Sequence, residues 1–305
     1  MGKAELPVVV IAAAGRAKRF SGEQKVLATV GGVAAICRVS NTCDQALGVH
    51  EQLVVIGHEG AQVRAVLGEA PHRAYIVQQR QLGTGHALAT ALAYLEVRGE
   101  REIYFLCGDK PLLSVQSLRR LRAELAASKA AMVFLTGVLE GDPLQSRQGR
   151  VLQAHRGTAR AEALAIVERA TIDALGEDER ICFTSLTGQR CEYGRDQLLA
   201  VPDVNISAYV WREQVLREHI SRLELRPEKG EYFVTDLVAI LRDRGLLVRA
   251  IPACDATEGI GIDTRQQHAA ANDAWFRLQA SALTEPPAEY GGSDTLDEEA
   301  ADALL

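Results

Sequence analysis

Three short stretches of this 305-residue chain combine small, basic and acidic residues in patterns suited to handling phosphate. The first is Ala13-Ala14-Gly15-Arg16-Ala17-Lys18-Arg19-Phe20. Small residues let the backbone approach a ligand closely, and successive N–H groups can cradle phosphate oxygens. Arg16, Lys18, Arg19 and Lys25 add four positive charges within ten residues. The second stretch is Gln78-Gln79-Arg80-Gln81-Leu82-Gly83-Thr84-Gly85-His86-Ala87, in which Gly83, Thr84 and Gly85 offer open backbone and a hydroxyl to a base edge. The third is Cys107-Gly108-Asp109-Lys110-Pro111-Leu112-Leu113. A carboxylate at Asp109 suits Mg²⁺, which takes oxygen ligands and binds through one or two carboxylates plus phosphates. Singly, each stretch also has a plain structural reading: a glycine turn with a basic edge, a capped helix, and an aspartate closing a turn. His86 alone reads as a helix-start or packing histidine. The first loop fits neither a Walker A loop nor G-x-G-x-x-G, which argues against an ATPase or a dehydrogenase.

The elements needed to position these stretches are visible in the hydrophobic pattern. Strands are expected at Val8–Ala13, Gln52–Ile56, Ala74–Val77, Glu102–Leu106 and Ala131–Val138, and helices at Val33–Leu47, Gly60–Leu67, Gly85–Leu95 and Val115–Ser128. Such alternation predicts an α/β fold: a Rossmann-like, mainly parallel sheet flanked by helices. Ligands of such sheets bind beyond the carboxyl ends of the strands, so the loops after Ala13, Val77 and Leu106 are the places to look. From about residue 140 the pattern breaks into short strands (Arg150–Ala154, Ala165–Val167, Asn205–Val210) and helices (Trp211–Leu223, Val234–Arg244). A strand at Leu247–Ile251 and a helix from Thr264 to about Ala282 follow. We expect one domain over 1–280, with a nucleotide-side part at 7–140 and a smaller, continuous lobe at 141–280.

Composition narrows the class. The chain has 34 Lys+Arg, 40 Asp+Glu and 47% hydrophobic residues, an ordinary globular balance. Seven acids and no Lys or Arg fall in 281–305, which reads as a solvated, disordered tail. The remaining body is nearly neutral and gives no footprint for nucleic acid. The longest near-apolar run, Val8–Ala14, is too short to span a bilayer, and the N-terminus has no signal-peptide pattern, so a cytoplasmic protein without a membrane partner is expected. Six dispersed cysteines without C-x-x-C spacing read as reduced, mostly buried thiols.

Taken together, Ala13-Ala14-Gly15…Arg19…Lys25-Val26-Leu27, Gln81-Leu82-Gly83-Thr84-Gly85-His86-Ala87 and Gly108-Asp109-Lys110-Pro111-Leu112 resemble the sugar-phosphate nucleotidyltransferases. The likeness is greatest to the uridylyltransferase half of the bifunctional N-acetylglucosamine-1-phosphate enzymes. It continues through Ile166-Val167-Glu168, Asn205, Gly230-Glu231-Tyr232-Phe233-Val234-Thr235-Asp236 and Gly261-Ile262-Asp263-Thr264-Arg265. The resemblance implies a smaller sugar-binding lobe and an Mg²⁺-dependent transfer from UTP to a sugar 1-phosphate such as N-acetylglucosamine 1-phosphate. It implies that Ala13, Ala14 and Gly15 hold the nucleotide, with Arg19 and Lys25 on its phosphates. Gln78, Gly83 and Thr84 would read the uracil. Asp109 and Asp263 would bind the metal, and Glu168, Asn205 and Thr235 the sugar. No hexapeptide repeat of the parallel β-helix kind is present, so only the uridylyl-transfer step is expected.

This chain departs from the family pattern at several points. Ala17 and Lys18 replace a Gly and a Thr of the usual loop, Gln24 a Pro, and Asp263 an Asn. The usual G-Y-G-R turn reads Arg147-Gln148-Gly149-Arg150, which puts a long cation beside the expected sugar. The segment from Arg169 to Val204 is longer than the family's. Two other classes remain in view: a nucleotide-sugar-binding protein without turnover, and a cytidylyl- or molybdopterin-type nucleotidyltransferase.

Overall fold

The computed structural model describes residues 7–15, 24–49, 51–57, 60–98, 101–139, 141–158, 161–227 and 229–284. Its first half follows the expected alternation closely: β1 (Val8–Ala13), a two-strand ribbon β2 (Thr29–Val30) and β3 (Val33–Ala34), α1 (Ala35–Leu47), β4 (Glu51–Ile56), α2 (Gly60–Leu67), β5 (Arg73–Val77), α3 (Thr84–Tyr94), β6 (Glu102–Cys107), α4 (Val115–Ala127) and β7 (Met132–Val138). The second half adds β8 (Arg150–Ala154), β9 (Glu162–Val167), α5 (Arg169–Ala174), the hairpin β10 (Ile181–Thr184) and β11 (Arg190–Tyr193), α6 (Arg195–Leu199) and β12 (Asp203–Arg212). After these come α7 (Glu213–Ile220), α8 (Asp236–Asp243), β13 (Val248–Pro252) and α9 (Arg265–Thr284).

The main sheet runs β13-β7-β12-β6-β1-β4-β5. Strand pairs β1/β4, β1/β6, β4/β5 and β7/β13 are parallel, whereas β12 lies antiparallel to both β6 and β7. Period-two alternation divides the core. Val8 and Val10 pack on the face covered by α3, α7 and α8, whereas Val9, Ile11 and Ala13 pack on the face covered by α1, α2 and α4. The carboxyl ends of β1, β5 and β6 share one edge of the sheet, which places all three chemistry-bearing stretches there.

Two expectations for the second half are corrected. Residues 205–210 read as a strand of the smaller lobe, but β12 is a central strand of the main sheet, so the lobe grows from the sheet's own backbone. Trp211 is not helical: it is fully buried in β12, its ring stacked 5.6 Å from Tyr209, and α7 starts only at Glu213. The hairpin β8–β9 attaches where Val204 pairs with Arg150, and a separate small core of Leu152, Leu164, Ile172, Leu175 and Leu198 holds it to the added segment. The six cysteines are free thiols, but they are not mostly buried as expected: only Cys43 is buried, four are partly exposed and Cys182 is exposed; across the hairpin Cys182 faces Glu192, and Cys191 faces Phe183. Helix α9 continues to Thr284, past the expected start of the tail; residues 285–305 lie outside the described residues.

Candidate active site

Glycine geometry and backbone hydrogen bonds knit the second stretch to a distant one. Gly83 has φ +91°, and a Cβ there would lie 2.6 Å from the Tyr232 carbonyl oxygen. The Tyr232 amide donates to the Leu82 carbonyl (2.7 Å), and the Gly85 amide donates to the Tyr232 carbonyl (2.8 Å). The Val234 amide donates to the Thr84 hydroxyl (3.1 Å). The Q-L-G-T-G-H-A and G-E-Y-F-V-T-D strings are therefore two sides of one close backbone junction. Only a residue without a Cβ fits at Gly83.

The third stretch is anchored in a similar way. The Ile262 amide donates to the Asp109 carbonyl (3.1 Å), and Lys110 Nζ donates to the Gly259 carbonyl (2.9 Å). The buried Glu258 carboxylate accepts from Ser114 N (3.0 Å), Ser114 Oγ (2.9 Å) and Ser117 Oγ (2.8 Å). These contacts hold the loop carrying Asp263 against the end of β6. Between the two aspartates sits Lys25: its Nζ donates to Asp109 Oδ2 and to Asp263 Oδ1, the latter at 2.7 Å. Burial alone would push the Lys25 ammonium down. The charges of Asp109 and Asp263, and their hydrogen bonds, outweigh it and hold the ammonium above the ordinary lysine range. Asp109 is 8% exposed, and its Oδ1 is buried without a hydrogen-bond partner.

A cleft of about 850 Å³ opens along this edge. Its walls include Ala14, Gly15, Lys25 and Asp263 at one part, and Gln78, Gly83 and Thr84 at another. Glu168, from the end of β9, also lines it. These expected site residues therefore meet in one cavity, and Asp109 joins them through Lys25. Others sit elsewhere. Ala13 is turned into the core beneath α1. Thr235 is buried behind Glu168 and donates to its Oε1 (2.9 Å). The Asn205 amide is engaged by the Tyr209 hydroxyl (2.7 and 2.9 Å) and the Ser207 amide (3.0 Å), at a bulge of β12 where Ser207 has φ +61°. Arg19 lies outside the described residues.

The orientation of Gln78 is fixed from behind. Its Nε2 lies 3.2 Å from the Gly83 carbonyl and 2.8 Å from His86 Nδ1. Burial, with Arg80 nearby, pushes the His86 pKa down, so the ring is neutral and Nδ1 can accept. Both Gln78 N–H groups are then used, and Oε1 remains as its acceptor. Glu168 is perturbed the other way: burial pushes its carboxyl up, the Thr235 hydrogen bond pulls it back, and the Asp236 charge pushes it further up.

Sequence reasoning gave no role to Gln81, whose Nε2 donates to the Ala14 carbonyl (2.7 Å) and so ties the first loop to the second stretch. It also passed over Arg169, Asp173 and Lys229 on the cleft wall. The excess length after Glu168 was a signal that something was built there.

Comparison with known proteins fits this geometry. A family model described as the MobA-like NTP transferase domain matches residues 9–176, more than half of the chain. The chain belongs to this family. It is a nucleotidyltransferase domain, and the match covers the three stretches and ends shortly after α5. It is 30% identical over 98% of its length to a protein named bifunctional protein GlmU from Solibacter usitatus, and 34% identical over 86% of its length to one of that name from Heliobacterium modesticaldum. The chain spans 60% and 50% of those two relatives. A solved UDP-glucose pyrophosphorylase in complex with UDP-glucose overlays on 90% of the chain with a TM-score of 0.64 at 14% identity, and so shares its fold. No helix among the described residues is long and apolar enough to cross a membrane.

Proposed function

We propose that this domain transfers a uridylyl group from UTP to a sugar 1-phosphate, forming a UDP-sugar and pyrophosphate. The observation that carries the base assignment is the locked Gln78 amide. An acceptor at Oε1 matches the N3–H donor of uracil, whereas cytosine presents an acceptor at N3 and would leave two acceptors facing each other. A buried polar pair that cannot form costs far more discrimination than a change of size. The sugar 1-phosphate is supported by the curated relatives and by Glu168, a carboxylate at the second-half wall suited to hydroxyl groups.

In the reaction an acceptor phosphate oxygen attacks the α-phosphorus in line, and pyrophosphate leaves. No protein nucleophile is required; positioning and charge neutralisation do the catalytic work. The open backbone at Ala14 and Gly15 receives phosphate oxygens, and Lys25 turns from its aspartates toward the charge developing on the triphosphate. Arg19, on the same loop, is assigned to the phosphates as well. Among the described residues no group of three or more His, Cys, Asp or Glu is clustered for a metal. The donor set nevertheless fits a hard divalent cation such as Mg²⁺: two carboxylates, with an orphaned oxygen on Asp109. Asp109 and Asp263 would hold it, and it would neutralise phosphate charge. Asn205 and Thr235 act from behind the sugar site, Thr235 by aiming Glu168.

The test is pyrophosphate release from UTP, CTP, ATP and GTP against several sugar 1-phosphates. UTP is expected to exceed CTP by at least about 100-fold in kcat/KM, a discrimination typical of a hydrogen-bonded base edge. Equal use of UTP and CTP removes Gln78 from base reading, and absence of release with every pair overturns the transfer reaction.

A further inference from the structure

Glu168 lines the cleft together with two braced stretches of backbone, and each presents a cation. The first turn, 143–149, is held from below by two guanidiniums. Fully buried Arg150 donates to the Gln148 carbonyl (2.6 Å) and the Pro143 carbonyl (3.0 Å). Arg169, the first residue of α5, donates to the carbonyls of Leu144 (2.7 Å) and Ser146 (2.8 Å) while its Nε holds Asp173 (2.7 Å). Gln148 Nε2 also reaches the Gly259 carbonyl (3.3 Å). The charged side chain on this turn that faces the cleft is Arg147, and no hydrogen bond or salt bridge engages it among the described residues.

On another part of the wall, the Gly230 amide donates to the Arg226 carbonyl (2.8 Å) and the Arg226 amide to the Glu231 carbonyl (2.9 Å). Arg226 grips Asp236 through Nη2 (2.6 Å) and Nε (3.0 Å). The cleft-lining cation of this stretch is Lys229, whose ammonium likewise makes no hydrogen bond or salt bridge among the described residues, though its charge is felt at Glu168. The cleft's other charged side chains near this end are already committed: Arg169 to Asp173, and Glu168 to Thr235. Glu231 carries no such bond, but its Cβ abuts Gly83, on the base side.

Both side chains line the cleft while staying exposed to solvent; a cation carried on braced backbone and left without a salt bridge is available to an anion. The acceptor's own phosphate must reach the α-phosphorus beside Lys25 and Asp109, so it is not available to a pair of cations flanking Glu168. We propose, resting on the transfer reaction above, that the acceptor is a sugar 1-phosphate bearing a second anionic group, a carboxylate, gripped by Arg147 and Lys229. Glu168 then binds a hydroxyl next to it, and Arg169, contributed by the added segment, is the brace that aims Arg147.

Matched acceptor pairs test this: glucose 1-phosphate with glucuronic acid 1-phosphate, and N-acetylglucosamine 1-phosphate with N-acetylmuramic acid 1-phosphate. Binding is measured by calorimetry with and without UMP, on the wild type, Arg147→Gln and Lys229→Gln, beside kcat/KM with the preferred NTP. In at least one pair the carboxylated member is expected to bind the wild type about tenfold more tightly, the effect of one charge-assisted contact of about 1.4 kcal/mol. Each variant should erase most of that preference and leave the neutral member unchanged. Equal weakening of both members would mean that the cations serve the shared phosphate, and overturns the proposal. So does the absence of any preference in the wild type. Binding is read without turnover, so loss of the transfer reaction in the NTP panel does not hide either outcome.

Discussion

The two ends of the cleft handle charge in opposite ways. At the β1–β6 end, the charged groups are engaged from within: Lys25 bridges Asp109 and Asp263, and Lys110 is tied to a carbonyl. At the β9–α5 end, the backbone around Arg147 and Lys229 is braced, but both side chains are exposed and make no salt bridge among the described residues. The first arrangement keeps a buried ammonium and a buried carboxylate soluble in each other until a polyanion arrives and exchanges for them. The second leaves the protein's positive charge for a ligand to neutralise. On the proposed reading, a nucleotide triphosphate brings its own counter-ions and an acceptor carboxylate does not, which would account for the difference between the two ends. The cores differ correspondingly. The nucleotide end stands on the main sheet, and the acceptor end on the small cluster around Ile172 and Leu198, so its wall can change without disturbing β1 or β6.

The sharpest way to break this comparison is to remove the bridging cation. Lys25→Met leaves Asp109, largely buried, facing Asp263 without a counter-charge. Turnover is expected to fall by about 100- to 1000-fold, the usual effect of losing one preorganised donor at a site of developing charge. Affinity for every sugar 1-phosphate should fall together, because their shared phosphate meets two uncompensated carboxylates, but the preference between carboxylated and neutral acceptors should change little. A loss of that preference would show that the two ends are coupled.

A smaller effect is expected from Gly83→Ala. The backbone at φ +91° and a Cβ 2.6 Å from the Tyr232 carbonyl together impose strain of about 2 kcal/mol. Thermal melting should drop by roughly 5 °C, and the KM for UTP should rise as Gln78 loses the Gly83 carbonyl that orients it. An unchanged melting point would mean that the junction with Tyr232 opens at no cost.

How much of this was legible in the sequence differs between the same two ends. The strands Val8–Ala13 and Glu102–Leu106 announced themselves because they are largely buried on both faces, and the candidate residues Ala14, Gly15 and Asp109 follow them within a few positions. Local spacing therefore carried Lys25, Gly83 and Gln78 into one cleft, with Asp109 joined to it through Lys25. At the acceptor end the decisive contacts are long in sequence. Arg169 braces carbonyls some 25 residues earlier, and Thr235 aims a carboxylate 67 positions away. Asn205 looked like a ligand contact because motif likeness places a residue in the chain and not in the network around it; Tyr209 and Ser207 take its amide. Strand β12 was misplaced for a related reason: nothing in Asn205–Val210 tells which neighbours it will pair with, and its antiparallel course comes from the chain returning out of the lobe.

The smallest expected effect separates binding from folding at Glu168. Burial raises this carboxyl's pKa in the folded state, so the folded protein disfavours the ionised form more than the unfolded chain does. Below the ordinary glutamate range both states are protonated, and the contribution to stability is fully present. As pH rises through the raised folded value, the carboxyl ionises against its surroundings and that contribution is lost. Glu168→Gln keeps an oxygen to accept from the Thr235 hydroxyl and cannot ionise. Its melting point should therefore exceed the wild type's at pH 8, with a difference that shrinks toward zero near pH 4. The same variant should raise the acceptor KM with little change in kcat, because a hydroxyl contact remote from the reacting phosphorus binds ground and transition states alike. A melting difference independent of pH would show that Glu168 is not strained by its burial, and a fall in kcat at constant KM would move it from the sugar to the reacting atoms.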